Sequence, residues 1–147
     1  LIRDGKQART PHYGRLNMFF YDPKGRKTLP YYDTFPLVLP IERYPDGFLG
    51  INFHYLPMGL RLRLLDRVVD FSNNTKFDES TVIDADYSKL KNLKEIKPTL
   101  KRYLAGRVKT RYRRVDADEF TVAVLLPIAR WKKGTQQDVY RDSRKMI

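Results

Sequence analysis

The sequence predicts an α+β fold, a small antiparallel, partly barrel-like sheet covered by two or three helices. Three observations carry that expectation. Residues 29–56, LPYYDTFPLVLPIERYPDGFLGINFHYL, place Tyr31, Tyr32, Phe35, Tyr44, Phe48, Phe53 and Tyr55 among Leu, Val and Ile, the residue types that fit a pleated, half-buried surface. Tyr44-Pro45-Asp46-Gly47 divides that stretch into two apolar runs. Pro presets φ and Gly supplies a positive φ, so the runs read as a β-hairpin. Leu60, Leu64, Val68 and Phe71 then recur at i, i+4, i+8 and i+11, the inner face of a helix.

Taken in order, residues 1–15 have no apolar periodicity and contain Gly5, Pro11 and Gly14. They read as an extended basic arm with Arg3, Lys6, Arg9 and Arg15, mobile or laid on a partner; residues 16–147 read as one domain. Leu16 to Tyr21 is a short strand, and Asp22-Pro23-Lys24-Gly25 is a turn with Pro at its favoured position. Phe35 to Ile41 is a second strand, which Pro36 and Pro40 confine to a sheet edge or a bulge because neither donates to the ladder. Phe48 to Tyr55 is a third, its core face carrying Leu49, Ile51, Phe53 and Tyr55 and its polar face Asn52 and His54.

Pro57 suits the first turn of the helix that runs to about Phe71. A second helix is expected from near Asp86 through Leu90, Leu93, Leu100 and Leu104, kinked or split at Pro98 and capped by Gly106. Arg107 to Val115 (RVKTRYRRV) reads as a strand with Arg107, Lys109, Arg111 and Arg113 on one face and Val108, Thr110 and Tyr112 on the other. Phe120 to Leu126 (FTVAVLL) is the most β-prone run and reads as a central strand. A last helix starts at Thr135, where Thr-Gln-Gln-Asp forms a capping box with Asp138.

Composition narrows function. The chain has 147 residues, no Cys and two His, which excludes a disulfide framework, thiolate sites and a cysteine nucleophile and disfavours a histidine metal site. No apolar run reaches the roughly 18 residues of a membrane span, and the basic start lacks the apolar stretch of a secretory signal. The chain opens on Leu rather than Met, as a processed or shortened start would leave it. The net charge is +12, and residues 91–115 carry ten basic groups against one acidic. A localised basic stripe points to a polyanionic partner.

The expected polyanion site is Arg107, Lys109, Arg111 and Arg113, widened by Lys101 and Arg102 and by Lys91, Lys94 and Lys97. Alternate strand residues stand roughly 6.6 Å apart, close to twice the rise of about 3.4 Å per phosphate along one DNA strand, so the row matches a sugar-phosphate backbone. Such contacts position a partner without reading bases. A solvated face, or a face docked on an acidic protein, is the competing reading.

Pro45-Asp46 with Glu95-Ile96-Lys97 matches a PD…ExK nuclease pattern, in which acids hold a divalent cation, but a turn and a helix are the wrong contexts. Asp116, Asp118 and Glu119 read as a solvated turn before a metal site. His54 has no nucleophile or second His nearby and reads as a packed, hydrogen-bonding residue. Trp131, between Arg130 and Lys132, reads as an exposed assembly anchor alongside the arm residues Arg3, Lys6 and Arg9. No catalytic, metal or cofactor set emerges, and the expectation is a non-enzyme.

The words Tyr21-Asp22-Pro23-Lys24, Leu29-Pro30-Tyr31-Tyr32-Asp33, Phe35-Pro36-Leu37, Gly47-Phe48 with Gly50 and Asn52, His54-Tyr55-Leu56 and Leu64-Leu65-Asp66 resemble small structural or DNA-associated proteins of large T-even-type tailed bacteriophages, over about residue 15 to the C-terminus. The resemblance implies a virion protein of the neck, tail or baseplate, assembled in the host bacterial cytoplasm within a symmetric oligomer. Its implied partners are other virion proteins, with double-stranded DNA as a further partner of the basic strand. The alternative is a non-virion DNA-binding accessory protein of replication, recombination or DNA-end protection. A metal-dependent nuclease ranks third.

Overall fold

The computed structural model describes residues 7–75, residue 90 and residues 93–147, with the side chains of residues 70–75, 95 and 117 left aside. Arg3 and Lys6 of the arm, Lys91 and the expected helix start near Asp86 lie outside the described residues. The strands are β1 (Gln7–Ala8), β2 (Leu16–Met18), β3 (Tyr32–Asp33), β4 (Leu37–Tyr44), β5 (Gly47–Asn52), β6 (Leu100–Leu104), β7 (Tyr112–Val115) and β8 (Trp131–Lys132). The α-helices are α1 (Met58–Thr75), α2 (Phe120–Leu125) and α3 (Gln136–Met146). Six strands form an antiparallel sheet in the order β1-β7-β2-β4-β5-β6, and β3 pairs with β8. The α+β expectation holds. The sheet stays open, with β1 and β6 at its edges.

The β4–β5 hairpin turns at Pro45-Asp46, with Tyr44 opposite Gly47. Gly47 does not adopt the positive φ expected of it. A Cβ there would stand 1.9 Å from the Tyr103 carbonyl oxygen on β6. Glycine is needed because a neighbouring backbone passes too close for a side chain. Gly47→Ala is expected to cost about 1–3 kcal/mol, as overpacking does; a denaturation midpoint equal to that of the parent would refute the steric argument.

β4 is an interior strand rather than an edge. Pro40 is accommodated by a register shift between Pro40 and Glu42, the bulge that proline requires when it enters a ladder. That shift also sets Arg43 opposite Phe48.

Both sheet faces are buried, so the one-sided alternation expected of β5 is corrected: Phe48, Asn52 and His54 are as buried as Ile51 and Phe53. One face joins Leu16, Met18, Leu37, Leu39 and Ile51 to Leu64, Leu65 and Val68 of α1 and to Phe120, Ala123 and Val124 of α2. The other is an aromatic cluster of Phe19, Tyr21, Phe48, Tyr103 and Tyr112 around Val38. Phe19 meets four of those rings edge-on at 5.0–6.1 Å between centroids, the geometry the ring quadrupole favours.

Three further expectations are corrected. FTVAVLL forms helix α2, because Phe120, Ala123 and Val124 at i, i+3 and i+4 all reach the core and burial overrides β propensity. Lys94–Thr99, with Pro98 inside, is a 3-10 helix, and Leu100–Leu104 is the edge strand β6 rather than a helix. It pairs along β5, with Tyr103 opposite Phe48 and buried in the aromatic cluster. Of the expected strand 107–115 only Tyr112–Val115 is strand, Arg107 falling in the 3-10 turn Ala105–Arg107.

Arg61 on α1 is 1% exposed. Its Nε donates to the Leu56 carbonyl at 2.6 Å, Nη1 to the Val124 carbonyl at 2.9 Å, and Nη2 to the His54 carbonyl at 3.2 Å and to the Tyr140 hydroxyl at 2.9 Å. One guanidinium thus ties α1, α2 and α3 to the end of β5. The capping box of α3 forms as expected, Asp138 N donating to Thr135 Oγ1 and Thr135 N to Asp138 Oδ2.

Candidate nucleic-acid interface

The register places Val38, Pro40, Phe48, Gly50, Asn52, Lys101 and Tyr103 on the aromatic side of the sheet, because side chains alternate and paired residues share a face. Asn17 and Tyr112 belong there too. Over this face run residues 8–13, the segment read as an arm, and residues 105–112. Gln7–Ala8 pair with Arg113 and Tyr112. Buried Asn17 takes a hydrogen bond from His12 N at 2.8 Å and donates to the carbonyls of His12 and Arg15. The residue 105–112 segment is held by Lys109 N donating to the Phe20 carbonyl at 2.8 Å and Phe20 N to Thr110 Oγ1 at 3.0 Å.

Between these segments lie two adjoining depressions of about 320 and 330 Å³ that share Arg9, Ala105 and Tyr112. Lys109, Thr110 and Arg111 border one; Tyr13, Arg43 and Tyr44 border the other. Arg9, Arg43, Lys109 and Arg111 are all exposed. The Arg43 guanidinium stacks 4.3 Å from the Tyr13 ring centroid, and Arg102 stacks 3.7 Å from that of Tyr44. The result is a shallow groove with cations on its rim and the Tyr13 ring in its wall over the buried Tyr112, the composition that suits a nucleic-acid backbone.

The sequence-predicted set divides. Lys109, Arg111 and Arg9 come together in the groove. Arg113 does not: its position across from Met18 and Gln7 puts it on the side of Val115, facing away from Tyr112. Arg107 is committed to Asp22, its Nε on the carbonyl at 2.8 Å and its Nη2 on the carboxylate at 2.9 Å. Arg102 is paired with Asp46. Lys101 lies at the other end of β6, its Nζ 4.0 Å from the Tyr55 ring centroid. Trp131 is half-buried rather than exposed and packs edge-on against Tyr55 at 4.8 Å and Tyr31 at 6.1 Å. Arg43, Tyr13 and Tyr44 are the groove residues that sequence reasoning missed. An Arg-Tyr pair at a hairpin tip, Arg43-Tyr44, was the available signal.

Asp46, one half of the nuclease pattern, sits exposed in the hairpin turn against Arg102, and the Glu95 side chain lies outside the described residues. Among the described residues no three His, Cys, Asp or Glu side chains converge as a metal site would need. Asp116 takes a hydrogen bond from Arg114 at 3.1 Å. His54 is fully buried with Nδ1 2.6 Å from Asp33 Oδ2. Asp33 Oδ1 accepts from the backbone N–H groups of Phe35 and Arg130. Burial pushes this carboxyl up, but the His54 hydrogen bond and charge and the two N–H donors outweigh it and hold it below the ordinary range. Among the described residues no helix is long and apolar enough to cross a membrane.

The tyrosines give this face a pH signature. Burial pushes Tyr112 up to about 12; burial and then the hydrogen bond to Asp142 push Tyr31 up to about 12. Tyr55 and Tyr103 are raised further, burial again being the main cause. With folded values above the unfolded value of 10.0, their contribution is complete below pH 10 and is lost as pH rises through 12. Lys101 has the opposite sign. Desolvation lowers it from 10.5 to about 8, so the unfolded chain binds the extra proton between those values and stability rises across that window. Thermal melts followed by tyrosinate absorbance are expected to show a steep loss of stability above pH 10; a flat profile to pH 12 would contradict the buried tyrosines.

Comparison with known proteins adds one match. A family model described as the Phage T4 terminal DNA protecting protein matches residues 2–144. No curated protein and no solved structure matches the chain.

Proposed function

Since the chain belongs to the family of the phage T4 terminal DNA protecting protein, we propose that it is a DNA-binding accessory protein that occupies the ends of double-stranded phage DNA and shields them without cleaving them. The observation that carries this reading is the groove of Arg9, Arg43, Lys109 and Arg111 around Tyr13 and Tyr112. Its cations meet phosphates, and the half-exposed Tyr13 ring meets a sugar or a frayed base. Among the described residues the groove's lining includes no amide or carboxylate side chain to read base edges, which fits a protein that must accept whatever sequence a terminus carries. The family's description favours this reading over assembly in a neck, tail or baseplate.

The test is exonuclease digestion of a linear duplex with and without the purified chain, at low and at raised salt. Digestion from the ends is expected to be blocked, and blocking is expected to weaken steeply as salt rises. Digestion at the same rate with saturating protein, together with no measurable DNA binding at low salt, would reject the function.

A further inference from the structure

A separate depression, of about 360 Å³, lies on the same sheet face at the far end of β6 from the groove. Tyr31, Tyr32, Tyr55 and Tyr103 line it together with Lys101, and the buried Asp33 and Asn52 contribute to its wall. Its volume is near the lower end of the roughly 300–1,000 Å³ of ligand pockets, enough for one flat ring with its sugar and phosphate. Neither the family match nor the groove accounts for it.

The pocket is built rather than incidental. Tyr31 is fixed by a 2.9 Å hydrogen bond from its hydroxyl to Asp142 Oδ2 and by the edge of Trp131. Gly134 lies beneath it, where a Cβ would come within 3.0 Å of the Tyr31 Cβ. The adjoining loop is lashed down by Lys133, which adopts a left-handed φ of 72° and donates from Nζ to the carbonyls of Arg26, Lys27 and Leu29. Such a conformation costs a non-glycine residue free energy and persists only where surrounding contacts over-determine it.

Two cationic residues, Lys101 and Arg102, border it; Arg102 is committed to Asp46, which leaves Lys101 among the aromatic rings. Lys101 has no carboxylate partner among the described residues, and its ammonium rests over the Tyr55 ring. Asp33 is not available to it as a free acceptor, since Oδ1 takes two backbone N–H groups and Oδ2 meets His54 and the Asn52 amide. A desolvated, unmatched ammonium beside clustered tyrosine rings fits an anion carried on a planar ring.

We propose that this pocket receives the unpaired terminal nucleotide of a DNA strand, its base against the tyrosines and its phosphate at Lys101. The proposal rests on the DNA-end reading of the groove and supplies what the groove lacks, a way to tell an end from an interior. A base inside a duplex must be unstacked and unpaired to enter, at a cost that is least where it is already single-stranded. Terminal nucleotides therefore enter most readily, whatever their sequence, because every base has a face to stack.

The experiment measures affinity by fluorescence anisotropy for one sequence in five forms. These are a covalently closed circular duplex, linear duplexes with a single-nucleotide 3′ or 5′ overhang, and the overhang duplexes with that nucleotide abasic. An overhang of one or both polarities is expected to bind more tightly than the circle, and the abasic form to lose about fivefold or more. K101M and Tyr32→Ala are each expected to bring the overhang duplex down to the level of the circle, thermal melts confirming that at least one of them is folded. Equal affinity for intact and abasic overhangs, or an overhang preference that survives in both folded variants, overturns the pocket. Binding to the circle in that case leaves the groove standing, whereas no binding to any form overturns the DNA reading as well.

Discussion

Arg61→Met is expected to lower the unfolding free energy by about 3–5 kcal/mol. Two contributions oppose each other. Burial of the guanidinium is costly, and desolvation lowers its pKa, so an apolar replacement relieves a penalty that can make buried charges expendable. Against that, three backbone carbonyls and the Tyr140 hydroxyl lose a charged donor. Each buried acceptor left without a partner costs about 1–3 kcal/mol. No carboxylate balances Arg61 among these contacts, so methionine leaves four acceptors unmet and the loss prevails. Denaturant unfolding monitored by tryptophan fluorescence would check this, and a midpoint within error of the parent would show that the acceptors find other donors.

Changing Arg9, Lys109 and Arg111 together to Ala is expected to weaken DNA binding by roughly a hundredfold, taking about 1 kcal/mol per charge-assisted contact. The slope of log affinity against log salt should shrink by about 0.9 for each phosphate contact removed. All three side chains are exposed, and surface substitutions of this kind stay within about 0.5 kcal/mol of parental stability. Arg113→Ala is the matched comparison, because Arg113 projects from the opposite side of β7 and should change affinity little. Equal losses from Arg113→Ala and from the triple variant would mean that net charge, rather than the groove, binds DNA.

That comparison isolates what could be read in the residues from what required the fold. Lys109 and Arg111 stood out because residues 91–115 carry the densest positive charge. Their partners did not, because they come from the arm and from a hairpin tip nearly seventy residues earlier in the chain. Arg43 is legible only once the register shift at Pro40 is known, since that shift decides which face the tip presents. The hairpin itself was legible from Pro45 to Gly47, although Gly47 serves a close approach from β6 rather than a positive φ.

FTVAVLL resembles a strand because β-branched and aromatic residues fill four of its seven positions, while the helical spacing of Phe120, Ala123 and Val124 matters only against α1. Leu93, Leu100 and Leu104 imitate a helical stripe. The decisive fact, that Tyr103 packs across from Phe48, is a long-range contact with no local trace. Trp131, taken for an exposed anchor, instead props two tyrosines of the Lys101 pocket.

The strand order has a consequence for how the chain is made. β1 at residues 7–8 and β2 at residues 16–18 are joined only through β7 at residues 112–115. A nascent chain thus carries β2 with one side of its ladder open until most of the polypeptide has left the ribosome, and the groove, whose walls flank that junction, closes last. Pairings of such long sequence separation are slow to form, and an unpaired strand is a template for other chains in the meantime. Closing the groove is therefore a late event in synthesis, and a ribosome stalled before Tyr112 holds a chain in which β4 and β5 are made while the partner of β1 and β2 is still missing.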